Sequence, residues 1–187
     1  ARKSLKSDDK SLMAYYSDSL VTEMRKSDKI ESEMQKALDT GEFNLYFQPK
    51  WDIVANKLSG AEVLVRWIKP DGSIIYPDSF ISIFEKNGFI EKLDFYMLET
   101  VCKKMKKLMD LGVEICPISI NQSRILLNNP DYVNIVERIL QRNSLPKEFV
   151  ELELTETVFM NEQEKMKEVM NKLRKLEISL SMDDFGS

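Results

Sequence analysis

The stretch Leu58–Trp67, LSGAEVLVRW, decides how this chain folds. Ala61, Val63, Val65 and Trp67 alternate with Glu62, Leu64 and Arg66, the period-two pattern of a strand with one apolar face. The other face carries an acid and a base with a leucine between them. Removing both charges from water costs on the order of several kcal/mol unless each finds a partner. That face is therefore either a salt-bridged interior or a ligand site facing a cavity.

Working upstream, Phe43, Leu45 and Phe47 alternate with Asn44, Tyr46 and Gln48 before Pro49, and Trp51, Ile53 and Val54 continue the extended run. A turn at Ala55-Asn56-Lys57 joins this run to the 58–67 strand, which predicts an antiparallel hairpin. Before Gly41 the chain changes character. Residues 1–40 are polar, hold no Pro or Gly, and scatter apolar side chains at Leu12, Tyr16, Leu20, Met24, Met34 and Leu38. Ser17 or Asp18 is placed to cap a helix that runs to Asp39 and stops at Gly41. Two roles stay open for it: a connecting or signalling helix, or one that packs on the domain that follows.

Downstream, Pro70-Asp71-Gly72 is a turn, and Pro77, Asp78 and Ser79 open a helix that carries Phe80, Ile81 and Phe84 and ends near Asn87-Gly88. A second helix, Lys92 to Leu111, aligns Phe95, Leu98, Val101, Cys102, Met105, Leu108 and Met109 on one stripe, and Gly112 closes it. Cys102 on that stripe reads as core. Strand and helix then alternate: strand Val113–Ile120, helix Tyr132–Leu140, strand Phe149–Leu154, helix Glu164–Leu176, strand Ile178–Met182. This pitch is that of parallel βαβ units and predicts an α/β fold of the barrel type with an antiparallel first strand.

The totals narrow the function. With 187 residues there is material for one sizeable core. A net charge of −4 gives no electrostatic footprint for a nucleic-acid polymer. No apolar run approaches the roughly 20 residues that cross a bilayer, and no signal peptide is evident, so this segment is expected to make no membrane contact. Two cysteines without CxxC spacing suggest a reducing cytoplasm, although other domains of a longer parent could anchor it to a membrane. Histidine is absent, which excludes Ser-His-Asp and Cys-His catalysis within these residues.

Spacing points to the chemistry that remains. Asn121, Glu153 and Asp183 lie 32 and 30 residues apart, each at or near the C-terminal end of an apolar strand, and Glu62 lies two units earlier. Strand ends of successive βα units present their side chains to a common site. Four oxygen donors without imidazole or thiolate describe a site for Mg²⁺, Mn²⁺ or Ca²⁺. The adjacent Asp183 and Asp184 could serve two ions, and a pair of ions about 3.5–4 Å apart is a recurring device for phosphodiester cleavage. Each residue taken singly has a plainer use: Asn121 as a cap, Glu153 as a half-exposed strand residue, Asp183-Asp184-Phe185-Gly186 as a turn.

FNLYFQP, GAEVLVRW, SINQS, ELTET and MDDFGS, in this order, resemble the motifs of EAL-domain cyclic-di-GMP phosphodiesterases of bacteria. The resemblance runs from about Gly41 to Ser187 and implies a TIM-like barrel and metal-dependent hydrolysis of cyclic-di-GMP to linear pGpG. By the match, Glu62, Asn121, Glu153 and Asp183 hold metal, Asp184 helps hold a second ion, and the cofactor is Mg²⁺ or Mn²⁺. Glu62, Asp183 and Asp184 are thereby the catalytic candidates. Gln48 and Arg66 contact the nucleotide, Arg66 at a phosphate, which suits a guanidinium fork. Glu156 steadies the loop after the last strand. Dimerisation is common in the family, so a homodimer is a further expectation. Residues 1–40 resemble the tail of a GGDEF domain with its linker helix, and residues 41–187 an EAL domain truncated at its C-terminal side.

Two departures stand out. The name-giving triplet is Glu62-Val63-Leu64, with Val63 directed away from Glu62. The sequence also stops at Ser187, where the family continues with GYSS, a catalytic lysine and further βα units, so the barrel is expected to be incomplete after its fifth strand. Residues 41–187 number 147, against about 200 or more for eight units. The alternative function is a catalytically inactive EAL-type receptor for cyclic-di-GMP, or a protein-interaction module.

Overall fold

The computed structural model describes residues 18–155 and 163–183. Helix α1 spans Asp18–Asp39. Gly41, at φ 72°, turns the chain out of it, as its lack of a Cβ permits. The stripe that meets the core matches the expected one only in part. Ile30 and Ala37, two turns apart, are buried, with Met34 and Leu38 packed beside them, whereas Met24 is exposed. Leu12 and Tyr16 lie outside the described residues. An ion pair between Lys69 and Glu33, and a 2.8 Å bond from Lys92 Nζ to Gln35 Oε1, fasten α1 to the domain that follows.

Strands β1 (Phe43–Asp52) and β2 (Lys57–Ile68) form the expected hairpin, with Phe43 opposite Trp67 and Gln48 opposite Glu62. Its register shifts between Lys50 and Trp51. Asp52 Oδ1 accepts from the N–H groups of Val54 and Ala55 and so shapes the turn. A two-residue strand that the sequence pattern did not signal, β3 (Ile74–Ile75), pairs with the end of β2 after the Pro70-Asp71-Gly72 turn. Glu42 locks the hairpin to α1: its N–H donates to Ala37 O, its O accepts from Ile68 N–H, and its Oε2 accepts from Trp67 Nε1 at 2.8 Å.

After a short 3₁₀ turn at Pro77–Ser79 come α2 (Ile81–Asn87), ended by Gly88 in the left-handed region, and α3 (Ile90–Asp110). Phe80 and Phe84 close around Phe43 and Trp67 as an aromatic cluster with ring centroids 5.0–6.2 Å apart. The buried stripe of α3 takes in Ile90, Leu93, Met97, Leu98, Val101, Cys102 and Met105. Leu108, expected on it, is exposed. Cys102 is fully buried, and burial pushes its thiol up to about 12, so it is core as expected.

The parallel part follows. Strand β4 (Ile118–Asn121) lies beside β2, then β5 (Val150–Thr155), then β6 (Ser179–Asp183), giving the order β1-β2-β4-β5-β6. Helices α4 (Tyr132–Asn143) and α5 (Gln163–Lys175) connect them. The strand expected over 113–120 is shorter than predicted, because it begins only after Pro117. Proline has no N–H to give the ladder, and Pro117 O instead accepts from Ala61 N–H at 3.0 Å. Along β4 and β5 the residues Ile118, Ile120, Val150, Leu152 and Leu154 belong to the buried core, while Ser119, Asn121, Glu151 and Glu153 alternate onto the other face. Among the described residues no helix is long and apolar enough to cross a membrane.

Candidate functional site

Parity along the strands brings the polar side chains together. Glu62 stands opposite Gln48 on one side and Ser119 on the other, and Asn121 stands opposite Glu153. Asn121 Nδ2 donates to Glu62 Oε1 at 2.8 Å, which turns the amide oxygen of Asn121 away from that contact and leaves it for another partner. Glu153 is 7 % exposed. Three of the five expected ligands therefore lie on adjacent strands of one face. The backbone of Asp183 ends β6 opposite Thr155, two residues beyond Ser181, which pairs with Glu153. Its side chain lies outside the described residues, as do Asp184 and Glu156.

Arg66 lies on the same face of β2 as Glu62, but the two do not neutralise each other. Arg66 Nη1 donates to Val65 O at 2.7 Å, and the guanidinium rests 5.5 Å from the centroid of the Tyr76 ring. The salt-bridged interior that ten residues of sequence allowed is thus replaced by two separately held charges. Gln48 is exposed on the edge strand, opposite Glu62.

Lys50 is the residue that sequence reasoning missed. Its Nζ reaches Glu153 Oε1 at 2.7 Å and Ser119 Oγ at 2.7 Å, and Ser119 Oγ donates to Glu151 Oε2 at 2.7 Å. Burial works to lower the pKa of Lys50, but the hydrogen bond and charge of Glu153, with Glu151 and Glu62 behind them, outweigh it and hold the ammonium above its ordinary value. The signal was available in principle: Lys50 is two positions beyond Gln48 and so shares its face.

Behind Asn121 a second layer holds the strand end. Gln122 N–H donates to Glu153 O at 2.8 Å, Gln122 Nε2 to Asn121 O at 3.0 Å, and Tyr132 Oη to Gln122 Oε1 at 3.1 Å. Ser123 N–H donates to Asp94 Oδ2 at 2.8 Å, while Ser123 Oγ donates to Glu85 Oε1 at 2.7 Å. Asp94 is buried in the stripe of α3. Burial raises its pKa to about 8, helped by Glu85 and Glu91 and opposed by the Ser123 N–H. A polar residue among Leu93, Met97 and Leu98 was the sequence signal for this support.

Among the described residues no three His, Cys, Asp or Glu side chains group closely enough to hold a metal by themselves. The described donors are two carboxylates and an amide, all oxygen, on neighbouring strands. That set fits a hard divalent cation and suits neither zinc nor copper. One oxygen of Glu153 is engaged by Lys50, and among the described residues its other oxygen has no hydrogen-bond partner.

The family model described as "EAL domain" matches residues 31–187. Signaling protein YkoW of Bacillus subtilis is 31 % identical over 180 residues, covering 95 % of this chain and 22 % of that protein. Cyclic di-GMP phosphodiesterase NbdA of Pseudomonas aeruginosa is 31 % identical over 173 residues, covering 92 % of this chain and 22 % of that one. The chain thus spans about a fifth of the length of these relatives. The solved structure of the PaMucR phosphodiesterase in complex with c-di-GMP superposes with a TM-score of 0.79 at 28 % identity, over 85 % of this chain and 64 % of that chain. The sheet described above is accordingly part of a TIM-like barrel. On the matched span, the superposition and the strand-end residues together, the chain belongs to the EAL domain family.

Proposed function

We propose that the protein hydrolyses cyclic-di-GMP to linear pGpG with two divalent ions, Mg²⁺ or Mn²⁺. Glu62, Asn121, Glu153, Asp183 and Asp184 would hold the ions. Bound there, they supply Lewis-acid chemistry, lowering the pKa of water and offsetting charge on the phosphoryl oxygens. In the reaction one P–O bond opens; water delivers its hydroxyl to phosphorus and its proton to the departing sugar oxygen. The remaining work belongs to the side chains. Gln48, opposite Glu62, and Arg66, carried on the same strand face, orient the nucleotide, with the Arg66 fork on a phosphate. Tyr76 limits the freedom of that guanidinium. Glu156 would steady the loop that follows β6.

The observation that carries this reading is the Asn121–Glu62 hydrogen bond in register with Glu153, which gathers oxygen donors from three strands onto one face. Relatives that include phosphodiesterases, and a neighbour solved with c-di-GMP, support the choice of substrate. The test is turnover of cyclic-di-GMP by full-length protein with Mn²⁺. Glu62→Ala is expected to lower it by about 10³-fold or more, since a ligand and a catalytic group go together; unchanged turnover removes Glu62 from the mechanism.

A second reading, a receptor that binds cyclic-di-GMP without cleaving it, is favoured by one feature: Arg66 is held by Tyr76 and Val65, independently of the acids. Calorimetry followed by product analysis separates the two, because nucleotide binding without pGpG points to the receptor.

A further inference from the structure

Glu153 brings a carboxylate into the site with only 8 % of its side chain exposed, and the cation that meets it comes from the strand that runs against the others. To reach Glu153, Lys50 passes from β1 over the polar faces of β2 and β4 to β5, touching Ser119 on the way. The residue opposite it in the ladder is Gly60. Cross-strand partners share a face, so β2 puts no side chain in that path. A Cβ at Gly60 would stand 2.9 Å from Pro117 O, so the close approach of the 117 backbone keeps that position bare. The register shift directly after Lys50 lets the strand bend away once the side chain has been delivered. Crossing, bare position and bulge together make this a built contact, unlike the exposed i,i+4 ion pair Lys172–Glu168 on α5.

We propose that Lys50 is the resident counter-cation of the site: it engages Glu153 Oε1, leaves Oε2 for a divalent ion, and competes with that ion by charge. The proposal rests on the metal-dependent reading above. Lys50 neither touches the nucleotide nor ligates the ion. With no ion bound, its ammonium balances the crowd of Glu62, Glu151 and Glu153. With one bound, the same positive charge stands close enough to weaken the ion's hold, which sets how much free metal the site needs.

The test is calorimetric titration of Mn²⁺, without nucleotide, into the unsubstituted full chain and into Lys50→Met, Lys50→Gln, Lys50→Arg and Glu62→Gln. Lys50→Met and Lys50→Gln are expected to bind Mn²⁺ about tenfold or more tightly, because a repelling charge a few ångströms from the ion is gone. Lys50→Arg, which keeps the charge, should stay within about threefold of the unsubstituted protein. A residue needed only for folding would give weaker binding in all three, and no such role produces a gain. Unchanged or weaker binding in both neutral variants overturns the proposal, while loss of binding in Glu62→Gln would still uphold the metal site. No Mn²⁺ binding by the unsubstituted protein overturns both. Thermal unfolding followed by circular dichroism identifies any variant that does not fold, and two neutral substitutions are used so that one failure is not decisive.

Discussion

The two faces of β4 and β5 are built on one hydrogen-bond ladder and obey opposite rules. On one side Ile118, Ile120, Val150, Leu152 and Leu154 are buried in a single apolar cluster. On the other, Ser119 donates to Glu151, Lys50 donates to Ser119 and Glu153, and Asn121 donates to Glu62. Moving one residue along a strand passes from a position where volume matters to one where charge matters. Apolar burial is concentrated on the first face, and the second carries the oxygen donors that the proposed ions would use.

That division can be attacked from the apolar side first. Trp67 is fully buried against Phe43, Phe80 and Phe84, and Trp67→Ala should cost about 3–5 kcal/mol, read as a shift in urea midpoint. A small loss there would mean that the aromatic cluster repacks freely. Gly60 tests the polar side, where packing ought to matter little except at one spot. Gly60→Ala should cost about 1–3 kcal/mol, because its Cβ meets Pro117 O at 2.9 Å, and the same assay should show it. A neutral result would mean that the 117 backbone yields.

Asp94 sharpens the comparison, since it is a carboxyl placed among the apolar residues. Its folded pKa, about 8, lies above the ordinary 3.8. The folded state therefore holds the proton more tightly than the unfolded one. Its stabilising contribution is complete below the ordinary value and is lost as pH rises through 8, at no more than about 1.4 kcal/mol per pH unit. Asp94→Asn should remove that slope, so that the variant gains on the unsubstituted protein between pH 5 and pH 8 in urea midpoints measured at both. Parallel pH profiles would show that Asp94 is not protonated in the folded protein.

Much of this was legible in the residues themselves. Alternation at 43–48 and 61–67 gave the hairpin, since a strand with one buried face has no other way to write itself. The steps of 32 and 30 residues placed Asn121, Glu153 and Asp183 at equivalent strand ends, and the first two do lie in register. What escaped has physical reasons. Val113–Pro117 has strand-like composition, but a proline without an N–H ends the ladder there. On α1, Met34 and Leu38 meet the core as expected and Met24 does not, while Ile30 and Ala37 complete the contact; the small side chain of Ala37 allows close approach and makes it inconspicuous. Lys50 was overlooked because a lysine beside Pro49 and Trp51 resembles solvent-facing polarity, and only the pairing register shows which strand it crosses.

The clasp at Glu42 has a further bearing on how the domain is coupled to what precedes it. Because one residue joins the last turn of α1 to both ends of the hairpin, the helix is clamped in azimuth as well as in position. Each residue of a helix advances it by about 100°. Insertion of a single residue into α1 ahead of Ile30 would thus turn the preceding part of α1 by more than a quarter turn about the helix axis, with no change at the clamp itself.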